Sequence, residues 1–248
     1  SRVPGRNTSK RLTIRDVAKA AGVYTQTVSR VINNHPDVAP DTLARVQGVI
    51  KELGYAPDIL ARSLIRGRSY SIGIVAFGLE FYGPSRLLAG IERQAAEMGY
   101  SITLNLVHRP ELGDVSALLN TLQARRVDGV IWAIPPIGDN RAWARDHSIS
   151  SSLPMVFVNG EASATFAPMI GIDNAAIGRL ATEHLLARGA RTVGLVTGPN
   201  DWWEAQQRAD GWRQALEAAG IAIDEAWIAN GDWSAESGRR AGLELMTL

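Results

Sequence analysis

The feature that most constrains this chain is a pair of short amphipathic helices separated by one glycine, within residues 13–33. Apolar residues at i, i+3, i+4 and i+7 predict the first helix: Ile14, Val17, Ala18 and Ala21. Thr13 is suited to cap its start, because its hydroxyl can accept a backbone N–H that lacks a partner. Gly22 is suited to end it, because a sharp chain reversal requires a residue that tolerates positive φ.

The second helix is predicted over residues 24–33, and it has one apolar and one polar face. At about 100° per residue, Val28, Val31 and Ile32 share the apolar arc. The opposite arc carries polar side chains, namely Thr25, Gln26, Ser29 and Arg30. Gln and Arg make bidentate contacts to adenine and guanine edges in the major groove, so the layout favours a helix-turn-helix. The alternative is an ordinary helical hairpin whose polar face is solvated.

The residue sequence of this stretch favours the helix-turn-helix over the ordinary hairpin. DVAKAAGV followed by TVSRVIN closely resembles the DNA-binding headpiece of the lactose/galactose repressor (LacI/GalR) family. We therefore expect double-stranded operator DNA to be contacted by Thr13, Tyr24, Thr25, Gln26, Thr27, Ser29, Arg30 and Asn33. Thr25 occupies a position that is often aromatic in close relatives, so the preferred operator is expected to differ from theirs.

Charge is distributed unevenly along the chain. Residues 1–68 hold 12 Lys and Arg against 5 Asp and Glu, a net charge of +7, whereas the remainder holds 14 against 20, a net charge of −6. This asymmetry predicts a nucleic-acid-binding head on a body with another role. The alternative is a basic tail with no specific partner. Residues 1–10 are polar and basic without periodicity and are interpreted as a flexible arm.

The helix-turn-helix domain is expected to span residues 11–56 and is followed by a hinge and linker at 57–69. A third helix is predicted over Asp41–Leu53, with Pro40 in its first turn and Gly54 after its end. A short helix is also predicted at Asp58–Leu64. The alternative is that this segment serves only as a linker. The family resemblance implies that this hinge helix folds on operator DNA, pairs with its dimer mate and inserts Leu64 into the minor groove.

From residue 70 to residue 248, continuous apolar strands alternate with helices, which predicts an α/β body with parallel sheets. Strands are expected at 71–77, 101–107, 129–134, 155–159, 192–197 and 226–230. Helices are expected at 85–98, 115–122, 139–146, 174–188, 204–219 and from 234 onward. A crossover near Gly171 divides a first lobe, about 70–170, from a second, about 171–248. This body resembles the family's sugar-binding domain, which shares its fold with periplasmic sugar-binding proteins.

Ligands of such folds bind at the carboxyl ends of the strands. The resemblance implies an effector site formed by Phe81, Pro84, Ser85, Asn159, Arg208 and Trp233. Arg208, in QQRADGW, would clamp sugar hydroxyls, and Trp233, in GDWSAESG, would stack on a pyranose face. Asn159 departs from a close relative, which has aspartate there, so the identity of the sugar stays open. The alternative interpretation is that Phe81 and Trp233 are core aromatics and that Arg208 forms a surface ion pair. For Asn159 taken singly, a role as a turn former is favoured.

The residues predict no enzyme, metal site or cofactor. The sequence has no Cys, and its four His have no metal-ligand spacing. Phosphate-loop, nucleophile-elbow and dinucleotide-binding motifs are also absent. With no signal pattern and no long apolar run, the expected location is the cytoplasm, at the nucleoid, without membrane contact.

The resulting interpretation is a homodimeric transcriptional repressor that binds a pseudo-palindromic operator and is released by a small sugar, a galactoside first. The alternative is a sugar-binding protein with no regulatory role. The body of family members normally continues beyond the point at which this sequence stops. We therefore expect an incomplete second lobe with an open sheet edge and little sugar affinity.

Overall fold

A computed structural model describes residues 12–33, 35–55, 68–109, 114–145, 153–161 and 167–247. The chain divides between Gly67 and Arg68 into two compact units, the headpiece and the body. The predicted hinge helix and Leu64 lie outside the described residues.

The headpiece contains the three predicted helices: α1 (Ile14–Ala21), α2 (Thr25–Ile32) and α3 (Pro40–Leu53). A capping box opens α1, in which the Asp16 carboxylate accepts hydrogen bonds from the Thr13 N–H (2.8 Å) and the Thr13 hydroxyl (2.7 Å). Gly22 and Gly54 end α1 and α3 with φ values of 61° and 63°, in the left-handed region that glycine adopts without steric cost. The prediction that glycines follow the ends of α1 and α3 is therefore confirmed, and at Gly22 the predicted cause, a positive φ, is confirmed as well.

The apolar faces of the three helices meet in one small core. Its buried members are Val17, Ala18, Ala21, Val28, Val31 and Val46. This packing buries one face of α2, while Thr25, Gln26 and Arg30 of the opposite face are exposed within the described part of the headpiece.

The first lobe of the body is a five-stranded parallel sheet in the order β2-β1-β3-β4-β5. The strands are β1 (Ser71–Phe77), β2 (Ser101–Val107), β3 (Gly129–Ala133), β4 (Met155–Val158) and β5 (Met169–Ile170). The helices are α4 (Tyr82–Glu97), α5 (Val115–Ala124) and a 3₁₀ turn at Ala142–Arg145.

Apart from element ends that shift by one or two residues, three details of the first lobe differ from the prediction. Helix α4 begins at Tyr82 and not at Ser85, because Phe81 is extended and its carbonyl accepts from the Ser85 N–H at 3.3 Å. The helix expected at 139–146 is only a 3₁₀ turn. Strand β5 was not predicted, since two residues are too short to show a strand period.

The second lobe holds a two-stranded parallel sheet, β6 (Leu195–Thr197) and β7 (Ile228–Asn230), with helices α6 (Asn174–Ala187), α7 (Trp203–Ala218) and α8 (Ala235–Leu245). Both strands are shorter than predicted: a 3₁₀ turn at Glu225–Trp227 delays the start of β7 to Ile228, and β6 begins at Leu195, the residue that pairs with it. Before β6, the Val193 carbonyl accepts from the Trp212 indole N–H at 2.9 Å. Helices α6 and α7 cross at Gly178 and Gly211. A Cβ at these positions would lie 2.1 Å and 1.9 Å from a carbonyl oxygen of the other helix, so the crossing requires both glycines.

Candidate functional site

The polar face of α2 is a candidate DNA-reading surface. Thr25, Gln26 and Arg30 are exposed, while Ser29 and Asn33 are half-buried and joined by a 3.4 Å hydrogen bond. Tyr24, the residue that precedes α2, has 85% of its surface exposed. The helix is anchored by its opposite face, through Val28 and Val31, so these polar side chains are carried on a rigid support.

A second headpiece surface combines Thr27, a predicted DNA contact, with three residues that the sequence analysis did not single out. Lys19 from the last turn of α1 and Arg45 from α3 line one concavity together with Thr27 and Thr42. Two cations and two hydroxyls suit contact with DNA phosphates, which fix register without carrying sequence information. Its members come from three helices, so no local sequence pattern marks it.

In the body, the loops that follow β3 and β6 join the two lobes by backbone hydrogen bonds. Gly138 N–H donates to the Asp201 carbonyl at 2.9 Å, and Trp203 N–H donates to the Pro136 carbonyl at 3.0 Å. Ile137 and Trp202 form the intervening antiparallel bridge. The carboxyl ends of strands from both sheets are thereby held side by side.

Aromatic rings line this junction. Phe81, after β1, meets Trp202 edge to face at 5.4 Å between ring centroids, and Trp202 meets Trp233 edge to face at 6.0 Å. Trp202 is buried and packs with Ile137 and Ala205. Two predicted effector-site residues, Phe81 and Trp233, are therefore connected through a tryptophan that the sequence analysis did not single out.

The predicted clamp, Arg208, lies against the same aromatic group. Its Cζ sits 5.5 Å from the centre of the Trp233 ring, a cation–π geometry. Its Nε donates to Asn174 Oδ1 at 2.9 Å, which fixes the plane of the guanidinium. Asn174 begins α6 and is buried, so Arg208 is oriented by a neighbouring helix of its own lobe.

Two local features seat Trp233. Its φ is 68°, and a Cβ at Gly198 would lie only 2.0 Å from its ring, so the indole occupies the space that a side chain at residue 198 would need. Beside it, Asp232 accepts from the Ser234 N–H at 2.9 Å, and the Asp232 N–H donates to Ser237 Oγ at 3.0 Å. Hydrogen bonds from Ser234 and Ser237 lower the pKa of Asp232 to about 2.

Asn159, the residue after β4, reaches the second lobe. It has φ of 58°, a left-handed conformation that Asn tolerates better than most residues, and its Nδ2 donates to Glu204 Oε1 at 3.2 Å. Pro84 and Ser85 lie in the first turn of α4, near Phe81, and the Ser85 hydroxyl donates to the Leu79 carbonyl. That bond closes the loop after β1, so Ser85 is engaged locally.

Two buried charged residues of this junction, Arg141 and Glu204, were missed. Arg141 is 8% exposed and donates to the carbonyls of Ile134, Val158 and Asn159, at the ends of β3 and β4. Burial lowers its pKa to about 10, although Glu204 opposes this shift. The Arg141 guanidinium thus holds the carboxyl ends of β3 and β4 together next to the junction.

Glu204, in the first turn of α7, is 7% exposed. Desolvation by burial raises its pKa, and hydrogen bonding with Asn159 and the charges of Arg141 and Arg208 offset part of that rise. Nothing in the local sequence marks Glu204 as buried, because its partners Asn159 and Arg141 belong to the other lobe and are brought to it by the fold.

Two further observations concern the described residues as a whole. None of their helices combines the length and apolarity needed to cross a bilayer. No group of three or more His, Cys, Asp or Glu side chains among them is arranged to hold a metal ion.

Comparison with known proteins matches both units of the chain to one family. Residues 13–58 match "Bacterial regulatory proteins, lacI family", and residues 82–248 match "Periplasmic binding proteins and sugar binding domain of LacI family".

Among curated relatives, the chain is 36% identical over 241 residues to the HTH-type transcriptional repressor PurR of Proteus mirabilis, covering 94% of this chain and 68% of the relative. It is also 36% identical over 238 residues to PurR of Klebsiella pneumoniae, covering 95% and 68%.

Among solved structures, the chain is similar to the lac repressor dimer bound to operator and the anti-inducer ONPF, with 30% identity, a TM-score of 0.77 and coverage of 96% of this chain and 71% of that one. It is also similar to the regulator CelR in complex with cellobiose, with 29% identity, a TM-score of 0.57 and the same coverage. These matches agree with the helical headpiece and parallel-sheet body, and the chain belongs to the LacI family of bacterial transcriptional regulators, as a DNA-binding repressor.

Proposed function

We propose that this repressor binds a pseudo-palindromic operator as a homodimer and is released when a small saccharide binds between the lobes of the body. The single observation that carries the effector part is the convergence of Phe81, Trp233 and Arg208 with strand ends of both sheets at one junction.

On DNA, Gln26 and Arg30 would read base edges, with Tyr24, Thr25 and Ser29 beside them. All five side chains lie on or next to the solvent-facing side of α2. Lys19 and Arg45 would contact phosphates from the adjoining concavity, together with Thr27, while Thr13 and Asn33 would hold the ends of the two helices against the backbone. Leu64 is proposed as the minor-groove wedge on the family resemblance alone.

The dimer is proposed because one headpiece is small and reads a single half-site. The related lac repressor is a dimer on its operator in the structure to which this chain is similar. A two-fold dimer would place two copies of α2 at half-sites about one helical turn, or a multiple of it, apart.

The saccharide is proposed because the junction offers aromatic faces and an oriented guanidinium, which suit a pyranose ring and its hydroxyls. The similar CelR structure holds cellobiose, and the lac repressor neighbours include one bound to ONPG. Galactosides remain the first candidates. A planar base is the competing ligand class, since its ring would stack on Trp233 equally well.

The effector would act by changing how the lobes are joined. The aromatic rings now contact one another, and a ligand inserted among them would part Trp202 from Phe81 or Trp233. Binding would therefore favour a different lobe arrangement, and a ligand shifts such an equilibrium only through its differential affinity for the two states.

A selection experiment tests this proposal. The chain is retained on a pool of randomised duplex DNA, bound sequences are recovered, and elution is then attempted with galactosides, with cellobiose and with a purine base. We expect a two-fold symmetric consensus and elution by a saccharide. A consensus without symmetry would contradict the dimer, and elution by the base alone would contradict the sugar.

A further inference from the structure

The point at which the chain enters the body is held by one carboxylate. Asp128, the residue before β3, accepts through Oδ1 from the Ser69 N–H at 2.7 Å and the Ser69 hydroxyl at 3.0 Å, and through Oδ2 from the Tyr70 N–H at 2.9 Å. Its own N–H donates to the Ser71 carbonyl at 2.7 Å. Hydrogen bonds to a carboxylate are stronger than neutral ones, so this group, the entry anchor, fixes residues 69–71 against the start of β3.

Tyr70 is held by the entry anchor in an unusual conformation. Its φ is 52°, in the left-handed region that an aromatic residue rarely adopts, and such a conformation persists only where the surroundings impose it. From the other side, the Tyr70 carbonyl accepts from the Ser101 N–H at 2.8 Å and the Ser101 hydroxyl at 3.2 Å. The Tyr70 ring lies 5.6 Å from that of Tyr100, between centroids. The backbone of Tyr70 is therefore held from both sides, which sets the direction of the chain before β1.

The entry anchor lies where the two units of the chain are joined. The headpiece ends at Gly67 and the body begins at Arg68, so Ser69 is only the second residue of the body. Strands β1 and β3 are parallel neighbours that begin at the anchor, and the loops that follow them lead into the candidate effector site. The covalent path from that site to the DNA-binding unit therefore runs through the anchored residues.

We propose that Asp128 is a positioning residue for operator binding, which fixes the direction in which the chain leaves the body toward the headpiece and so sets the half-site spacing that a dimer accepts. The proposal rests on the two-fold dimer of the proposed function. Two linked binding modules strengthen each other only when their connection lets both engage at once, and a fixed exit narrows the spacings at which they can. The role requires no contact between Asp128 and DNA.

The competing explanation is that Asp128 only stabilises the amino ends of β1 and β3. The two roles differ in what their loss changes. A loss of stability lowers the fraction of folded body but leaves the preferred spacing unaltered. The loss of a fixed exit direction instead makes affinity less dependent on spacing. Binding to a single half-site, which needs one headpiece, is unaffected in both cases.

The experiment measures the affinity of the 248-residue chain for labelled duplexes by fluorescence anisotropy. One duplex carries a single half-site, and the others carry two half-sites at the preferred spacing and at spacings one or two base pairs longer or shorter. Asp128→Asn keeps the shape of the side chain but replaces one acceptor oxygen by an NH₂ donor that faces an N–H group. Ser69→Ala is the milder variant, because it removes only the hydroxyl from the anchor.

Two control variants of the same lobe accompany them. Asp114→Asn makes the same charge change at the start of α5, where asparagine caps a helix as well as aspartate does. Leu119→Ala removes buried apolar atoms from the core of the lobe, at a residue that forms none of the anchor's hydrogen bonds, and so lowers stability alone. Thermal unfolding of every variant ranks the stability losses.

We expect the wild-type chain, Asp114→Asn and Leu119→Ala to prefer the same spacing. Asp128→Asn should bind that duplex roughly tenfold more weakly, bind the other spacings about equally well, and keep its affinity for the single half-site. Ser69→Ala should be intermediate, and it decides on the same terms if Asp128→Asn does not fold. A spacing preference as sharp as that of the wild type, or one that Leu119→Ala flattens equally, would overturn the positioning role alone. A wild-type chain with no preferred spacing would overturn the proposed dimer as well.

Discussion

The Asn159 side-chain amide donates a hydrogen bond to the Glu204 carboxylate across the junction of the two lobes, at 3.2 Å. Asn159 follows β4 of the first lobe, and Glu204 lies in the first turn of α7 of the second. With φ of 58° at Asn159, the contact depends both on a left-handed backbone and on a short amide side chain. The pair is thus sensitive to a substitution that keeps the shape and changes the charge.

Replacing Asn159 with Asp places a second carboxylate against Glu204. Like charges at this distance repel, so we expect Asn159→Asp to lower the stability of the body by about 1–3 kcal/mol near neutral pH. Protonation of either carboxyl relieves the repulsion, so the deficit shrinks as pH falls. Since burial raises the pKa of Glu204, that recovery starts above the usual range of a glutamate. The stability deficit of Asn159→Asp at each pH is measured by thermal unfolding, monitored by circular dichroism, from pH 5 to pH 8.

The control is Asn159→Gly, which tolerates positive φ and removes the amide without adding charge. Asn159→Gly should lose less stability than Asn159→Asp, and its difference in unfolding free energy from the wild type should be nearly constant with pH. Parallel pH curves for the Asp and Gly variants would show that charge repulsion across the junction is not the cause.

Substitutions in the headpiece separate base reading from phosphate contact. We expect Arg30→Ala to cost about 1–3 kcal/mol on the specific operator and to relax sequence preference at one position. Lys19→Ala should instead weaken specific and random DNA alike, and lower the slope of log affinity against log salt by about 1. The affinities of both variants for the specific operator and for random DNA, measured over a range of salt concentrations, distinguish base reading from phosphate contact. Equal losses from Arg30→Ala on both would contradict the base-reading role.

The elements that sequence could predict are those whose cause is local. Residues of α1 repeat with the helical period, Gly22 is needed where the chain reverses, and GDWS places Trp233 between a strand and a capped helix. Arg141 and Glu204 could not be predicted, because each is buried by residues from other elements. Glu204 is 45 positions from its hydrogen-bond partner Asn159, in a different lobe.

Gly198 tests how Trp233 is held. A methyl group at residue 198 would overlap the indole, so Gly198→Ala should displace the ring and destabilise the second lobe by about 1–3 kcal/mol, as overpacked sites do. The emission of the tryptophans should shift as Trp233 moves. Gly238→Ala, in α8 with open space at its Cβ, is the control and should be neutral or slightly stabilising. If Gly198→Ala is as stable as this control and its tryptophan emission is unchanged, the space at Gly198 does not hold Trp233 in position.

Leu64 belongs to the segment outside the described residues, and its role stays a prediction. A leucine wedge would unstack a base step and kink the operator. Leu64→Ser should therefore weaken operator binding and reduce DNA bending, while the headpiece helices keep their circular dichroism spectrum. Energy transfer between fluorophores at the two operator ends reports the bend. A bend angle equal to that of the wild-type complex would exclude the wedge.

The central claim is that one chain couples saccharide binding between its lobes to release of operator DNA. Fluorescence anisotropy of a labelled operator, titrated with a neutral galactoside in the presence of wild-type chain or Arg208→Ala, tests it most directly. Because the second lobe holds only a two-stranded sheet among the described residues and low sugar affinity is expected of it, we predict that the wild-type chain leaves the operator only at high sugar concentration. Arg208→Ala should bind operator normally but need roughly 10- to 150-fold more sugar, because a charge-assisted hydrogen bond contributes about 1.5–3 kcal/mol. Release of both proteins at the same sugar concentration, or of neither at any concentration, would contradict the account.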